Sequence, residues 1–325
     1  MDSKPTVVVL DDWENVLRDR VDWRAIRSRA NVIIHNTRLC GHALRAALSS
    51  AQVLVVFRDR TPVDADLIAL LPGLQRIIST GARNRTLDAK AAEQAGIHVG
   101  HTAWGPSKAS TCEHTWALIL AAVKRVPQSA LSASNSRWRN PDVSAFMPPV
   151  MEGKRLGLIG LGQIGQRVAA IGKVFGMQVV TWSPNMTAER AAEHGVLAVS
   201  LKELLETSLV VSLHLVPSET SRHLLNAERL GWMHAGAILV NTSRAELIDT
   251  DALVDALHHK RIAYCALDVF DQEPLAPDHP LLNMPNVLLT PHVGFLCEEV
   301  VHNFAVGVQD QLEAHLSQQG VYSPL

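Results

Sequence analysis

The chain has 325 residues, 47% of them apolar and 19% charged, with a formal net charge of −2 and four cysteines. That length allows two domains with substantial cores, and that apolar fraction excludes a largely disordered chain. Acids and bases are mixed along the chain, which gives no reason to expect nucleic acid or an anionic membrane as partner, and no apolar run approaches the roughly 20 residues of a spanning helix.

Met1-Asp2-Ser3-Lys4-Pro5 leads directly into a strand pattern, so no signal peptide is expected. Thr6 to Leu10, Asn31 to Asn36, Val53 to Phe57, Leu74 to Ser79 and Gly96 to Val99 read as short strands with helical stretches between them. Such alternation predicts a parallel sheet covered on both faces, a small α/β domain of its own. Ser107 to Val126 predicts a long helix, and Ser132 to Met151, rich in Ser, Asn and Pro, a surface connection. A second alternation follows, with strands predicted at Arg155 to Ile159, Gln178 to Trp182, Leu209 to Leu213, Ala237 to Val240, Ile262 to Leu267 and Val287 to Leu289. Six strands with helices between them match a doubly wound nucleotide-binding sheet. Cys297 to Ser317 predicts a last helix. The cysteines (Cys40, Cys112, Cys265, Cys297) are dispersed and form no CxxC pair, so they read as small hydrophobes. No metal is expected, and a reducing cytoplasm is the default location.

Gly160-Leu161-Gly162-Gln163-Ile164-Gly165 follows the predicted strand Leu156-Gly157-Leu158-Ile159, and a helix pattern runs from Gln163 to Val174. Gly160 permits the tight turn, Gly162 lets the backbone approach a pyrophosphate, and Gly165 lets helix and strand pack closely. The N–H groups of Gln163 and Ile164 then face the phosphates. A GxGxxG match alone also fits an ordinary turn; the strand before it and the helix after it favour a dinucleotide. An acid about 20 residues further on usually binds the ribose of NAD. Here the second strand ends Thr181-Trp182-Ser183-Pro184-Asn185, and the first carboxylate downstream is Glu189. Ser183 and Asn185 can hydrogen-bond a hydroxyl or a phosphate, whereas Arg190 reads as lying too far along. The cofactor is NADP or NAD, with a slight lean to NADP.

Arg244 follows the apolar run Ala237 to Val240, which puts a guanidinium on the rim where α/β sheets bind ligands. Its fork fits a carboxylate at two points, although a lone Arg is commonly a surface ion pair. His292 lies in a Pro-His-Val-Gly turn after another strand and is a candidate proton carrier. Glu273 is a candidate partner that orients the imidazole.

On these blocks the chain resembles the D-isomer-specific 2-hydroxyacid dehydrogenases over nearly its whole length. They are Leu158 to Gly165, Val240-Asn241-Thr242-Ser243-Arg244, Leu267-Asp268-Val269-Phe270 with Glu273-Pro274-Leu275, and Thr290-Pro291-His292-Val293-Gly294. The resemblance implies an oxidoreductase that interconverts a 2-keto acid and a D-2-hydroxy acid. It makes Arg244, Glu273 and His292 the catalytic set, with Arg244 also binding substrate. It places Asp268 at the nicotinamide carboxamide and Thr242 in the cofactor site. Thr80-Gly81-Ala82-Arg83-Asn84 resembles the loop whose N–H groups hold the substrate carboxylate, and Arg58 a substrate-side Arg. Each of these two segments equally fits a solvated loop.

The implied architecture is a Rossmann-type domain, residues 102–293, inserted into a smaller flavodoxin-like α/β substrate domain, residues 1–101 plus 294–325. A homodimer through the nucleotide-binding domain is implied, with the Ser132 to Met151 arm in the contact. Three departures stand out. Ala245 replaces a usual Gly, Phe295 a small residue, and His214-Leu215-Val216-Pro217-Ser218 lacks the His-x-Pro-x-Thr order. The alternative reading is a non-catalytic or slow dinucleotide-sensing protein on the same fold, against which the intact Arg, Glu and His weigh.

Overall fold

The computed structural model describes residues 4–135 and 147–319. The chain divides into two compact units, one formed by Met1–Ser107 with Cys297–Leu325 and the other by Lys108–Leu296.

The first unit holds β1 (Thr6–Leu10), β2 (Asn31–Ile34), β3 (Val53–Val56), β4 (Arg76–Ser79) and β5 (His98–His101), in the order β2-β1-β3-β4-β5. All four pairings are parallel. This is the flavodoxin-like order. Every residue of β1 and β3 is buried, as expected of central strands covered on both faces, whereas β2 alternates exposed and half-buried positions at the sheet edge. Burying one such Val or Leu contributes about 1.5–3 kcal/mol. The helix Glu298–Gln319 belongs to this unit, where the fully buried Phe304 meets Phe57 edge-on at 5.8 Å.

The second unit holds β6 (Arg155–Ile159), β7 (Gln178–Trp182), β8 (Leu197–Ala198), β9 (Val210–Leu213), β10 (Ile238–Asn241), β11 (Tyr264–Leu267) and β12 (Val287–Leu289). Their order is β12-β11-β10-β9-β6-β7-β8, again with parallel pairs, so this is a doubly wound Rossmann sheet. Alternate residues feed two cores. Leu239 and Leu267 pack on one face with Leu213, Leu253 and Leu257, while Ile238, Val240 and Ala266 pack on the other with Trp116, Ile119 and Val168.

The sheet has one strand more than the six expected. β8 pairs Leu197 with Val180 and Ala198 with Thr181, and two residues are too few to leave a periodic signal. The helix expected over Ser107 to Val126 is also two helices, Ser107–Lys124 and Val126–Ser134. Arg125 between them takes a left-handed backbone (φ 52°), and Pro127 sits where a helix start tolerates the missing N–H. The expected connection from Ser132 to Met151 thus begins inside a helix, and its residues 136–146 lie outside the described residues. Two strands are shorter than expected: β2 stops at Ile34, before the polar His35 and Asn36, and β11 begins at Tyr264, two residues after the buried Ile262.

One register row positions the site. Trp182 pairs with Ile159, Ile159 with Leu213, Leu213 with Asn241, Asn241 with Leu267, and Leu267 with Leu289. Six strands therefore end at one level. The residues that follow them (Ser183, Gly160, His214, Thr242, Asp268 and Thr290) leave the sheet along one carboxyl rim. Strand order reverses between β6 and β9, which makes that rim the binding edge.

Candidate active site

Beyond β6 the three glycines have three different surroundings. Gly160 turns with φ 101°, and a Cβ there would lie 2.7 Å from the carbonyl oxygen of His214. A Cβ on Gly165 would lie 2.4 Å from the Gly160 oxygen, so the helix Gln163–Val174 packs onto the turn only because that atom is missing. A Cβ on Gly162 would meet nothing within 4 Å, so its backbone faces open space. First-turn N–H groups such as those of Gln163 and Ile164 have no acceptor within their helix. Open backbone beside unspent N–H groups fits a pyrophosphate.

The turn after β7 carries Ser183 and Asn185 and closes through the Met186 N–H donating to the Ser183 oxygen at 3.1 Å. Contrary to the expectation from sequence distance, Arg190 belongs to this turn. The short helix Ala188–Ala192 folds back, and Arg190 Nη1 donates to the Asn185 oxygen at 2.6 Å. Glu189 faces its own helix start instead. Hydrogen bonds from its own N–H and the Thr187 hydroxyl hold its carboxyl below the usual range.

His214, at the end of β9, places its Nε2 2.9 Å from Ser212 Oγ. Desolvation pushes its pKa down to about 4. Between that value and the ordinary 6.5, the unfolded chain binds a proton that the folded chain does not. Stability therefore falls as pH drops through this window. We expect the melting temperature to decline from pH 6.5 towards 4, and a His214→Gln variant to lose that part of the decline. A parallel decline in both proteins would refute the assignment.

Glu273 and His292 come together. His292 Nδ1 and Glu273 Oε2 are 2.7 Å apart, and Glu273 Oε1 accepts the Phe270 N–H at 3.0 Å. Both side chains are about a quarter exposed, so the pair is open to a ligand. His292 holds a left-handed backbone (φ 54°), which costs a residue with a side chain about 1–2 kcal/mol. The Phe295 ring stands edge-on to the imidazole at 5.8 Å, so this departure touches the candidate proton carrier.

Asp268 lies beneath the His292 turn. Its Oδ1 accepts from Thr290 Oγ1 (2.6 Å) and the Val293 N–H (3.0 Å), and its Oδ2 accepts from the Gly294 N–H (2.9 Å). Arg244, on the next strand end, donates from Nη1 to the Ser243 oxygen at 2.7 Å, while Asn241 Nδ2 donates to the Arg244 oxygen at 2.8 Å. Ala245 is buried in a 3-10 turn directly after it. The Thr242 hydroxyl is engaged with Thr115 Oγ1 at 2.7 Å. A cavity of about 340 Å³ backs these loops, lined by Asn241, Ala245, Leu267, Phe270 and Asp271; it does not include the glycine turn.

In the other unit, Arg58 follows β3 with φ 55°, and its guanidinium lies 4.4 Å over the Trp104 ring. The Gly81 N–H does not point outward as expected. It donates to Thr102 Oγ1 at 2.8 Å, and Trp104 packs against Gly81, where a Cβ would lie 3.1 Å from its ring. Ala82 is the next backbone donor in that loop.

Sequence reading missed Ser110 and His114. Both lie on the helix Ser107–Lys124 and reach the His292 turn, but polar residues four apart on a helix look like any solvated face. Among the described residues no group of His, Cys, Asp and Glu could hold a metal, and no helix is long and apolar enough to cross a membrane.

Residues 116–294 match the family profile described as D-isomer specific 2-hydroxyacid dehydrogenase, NAD binding domain. The chain is 38% identical to a glyoxylate reductase of Aeropyrum pernix over 276 residues, 83% of this chain and 81% of that protein. It is 34% identical to a D-3-phosphoglycerate dehydrogenase of Archaeoglobus fulgidus over 79% of this chain, and spans only 48% of that longer protein. A solved phosphoglycerate oxidoreductase of Vibrio cholerae superposes with a TM-score of 0.86 at 30% identity, covering 97% of this chain and 99% of its own.

Proposed function

The chain belongs to the D-isomer specific 2-hydroxyacid dehydrogenase family and is an NAD- or NADP-dependent oxidoreductase, and within that class we propose that it reduces a short 2-keto acid to the D-2-hydroxy acid with His292 as the proton donor. The observation that carries this reading is the 2.7 Å pair of His292 Nδ1 and Glu273 Oε2 on the carboxyl rim of the nucleotide-binding sheet. With Nδ1 taken by the carboxylate, Nε2 is the nitrogen left to face substrate.

The bound nicotinamide supplies the hydride. Arg244 holds the keto acid by its carboxylate and polarises the neighbouring carbonyl, and its fixed charge stabilises the alkoxide as it develops. His292 Nε2 gives its proton to that oxygen, and in the reverse direction the neutral ring takes it back. Glu273 aims the ring and balances its charge. Gly162, Gln163 and Ile164 hold the pyrophosphate.

Loss of reduced-nicotinamide absorbance with glyoxylate, hydroxypyruvate and substituted pyruvates tests the proposal. Turnover with at least one is expected. No turnover on any of them, with cofactor binding intact by tryptophan fluorescence, would favour the dinucleotide-sensing alternative.

NADPH is the proposed reductant. No carboxylate stands at the ribose end of β7 to repel a 2′-phosphate, and Arg190 is anchored beside it. Arg190→Ala is expected to weaken NADPH binding about 10-fold to 100-fold, the range for one hydrogen bond to a charged group, and to leave NADH binding nearly unchanged. Fluorescence titration with both cofactors reads this directly. Equal NADPH affinity in variant and parent would end the assignment.

A homodimer through the nucleotide-binding unit is also proposed. Val126, Leu131, Met147 and Val150 of that unit are more than half exposed, and apolar side chains left in water favour a covering partner. Light scattering should give twice the chain mass, and a monomer at micromolar concentration would contradict it.

A further inference from the structure

We propose that His114 is a positioning residue for the proton donor: with Asp268 it locks the strained turn that presents His292. The kinetic part of this inference rests on the dehydrogenase reading above.

His292 sits in a left-handed backbone (φ 54°), which costs a residue with a side chain about 1–2 kcal/mol and so profits from being held. The two N–H groups that follow it, of Val293 and Gly294, both donate to the Asp268 carboxylate, at 3.0 and 2.9 Å. That carboxylate is therefore the clamp on the turn, and it must stay charged and aimed to work. Asp268 is 1% exposed. Burial by itself raises its pKa, but hydrogen bonds from His114, Thr290 and Gly294 outweigh burial and hold it below the usual value.

His114 is the donor that comes from outside the strand ends. Its Nε2 lies 2.9 Å from Thr290 Oγ1 and 3.3 Å from Asp268 Oδ1. The Thr290 hydroxyl gives its only proton to Asp268, at 2.6 Å. It can then only accept from His114, which fixes the Nε2–H tautomer of that ring. Two further contacts tie the same helix to the turn. Ser110 Oγ, one helical turn before His114, lies 2.9 Å from the Gly294 oxygen and 3.0 Å from the Leu296 oxygen. Gly294 is pressed between the two groups: a Cβ there would lie 2.8 Å from Asp268 Oδ2 and 3.1 Å from His114 Cδ2. Loss of the His114 N–H leaves the Thr290 oxygen and the Asp268 charge short of a donor in a buried place. The clamp then loosens, and Nε2 of His292 is no longer held on the substrate oxygen.

His114→Leu and His114→Gln, made in the full chain, test this. The Gln amide keeps a donor near the position of Nε2; Leu keeps only volume. His114→Leu should lower kcat about 10-fold to 100-fold, the range for one hydrogen bond to a charged group, while the NADPH dissociation constant moves less than about twofold. His114→Gln should recover most of that loss. A structural role alone would instead lower melting temperature, cofactor binding and turnover together, with no recovery in His114→Gln, and that pattern overturns the proposal. So does parental kcat in His114→Leu. Amide hydrogen exchange at Val293 and Gly294 decides the matter without any substrate. Protection at both should fall at least about tenfold in His114→Leu and return in His114→Gln. If the parent chain turns over no keto acid, the reaction assigned above fails, while unchanged protection in His114→Leu is what defeats the clamp.

Discussion

Replacing His292 with Ala is expected to lower kcat for 2-keto acid reduction about 100-fold to 10,000-fold, the usual worth of general acid–base catalysis. The side chain is about a quarter exposed, bonded through Nδ1 to Glu273 and edge-on to Phe295, and it belongs to neither core cluster, so its removal opens no cavity in them. Melting temperature and NADPH affinity should therefore stay close to the parent. That separation makes the experiment diagnostic, because a general loss of fold would depress all three. Near-parental turnover in this variant would remove His292 from the mechanism and leave the imidazole–carboxylate pair as a structural feature of the rim.

Arg244→Lys should be nearly as damaging, about 100-fold to 1,000-fold in kcat/KM, the cost typical of losing one preorganised donor to a developing oxyanion. Charge is kept, so a purely electrostatic role would tolerate the change. The planar fork is what is lost. Arg244 spends one N–H on the Ser243 oxygen at 2.7 Å, which fixes the plane in which the remaining donors lie. A lysine ammonium has no plane to fix and one attachment point to offer. Steady-state kinetics with a keto acid substrate, read beside cofactor titration, gives the answer. A loss below about fivefold with unchanged NADPH binding would reduce Arg244 to a point charge, well short of the two-point role argued here.

The architecture was legible because both sheets are built from runs that are apolar at successive positions. Parallel strands covered on two faces need such runs, and β1, β3, β9 and β10 are buried throughout. β8 escaped notice because two residues, one exposed and one half-buried, leave no periodicity. The break at Arg125 escaped because a single left-handed residue does not interrupt an apolar pattern. Gly160, Gly162 and Gly165 were legible together because their order encodes three local requirements: a positive φ, an open backbone and a close helix contact. Arg190 was misjudged for the opposite reason. Its distance along the chain says nothing about a short helix that returns it to the Asn185 oxygen.

Composition, periodicity and motif order, all local properties, determined the fold class, the place of the glycine turn and the candidate set Arg244, Glu273 and His292. Each of those features is written within a few consecutive residues, in the pattern of side chains that a strand, a turn or a helix start requires. Tertiary structure alone decided which groups are spent and which are available. It committed the Gly81 N–H to Thr102 and folded Glu189 onto its own helix start. It paired Nδ1 of His292 with Glu273 and brought His114 under a turn 176 residues away at Thr290. Those outcomes depend on hydrogen bonds between elements far apart in the chain, and a donor's partner across such a distance is set by strand register and helix packing, which no local pattern records.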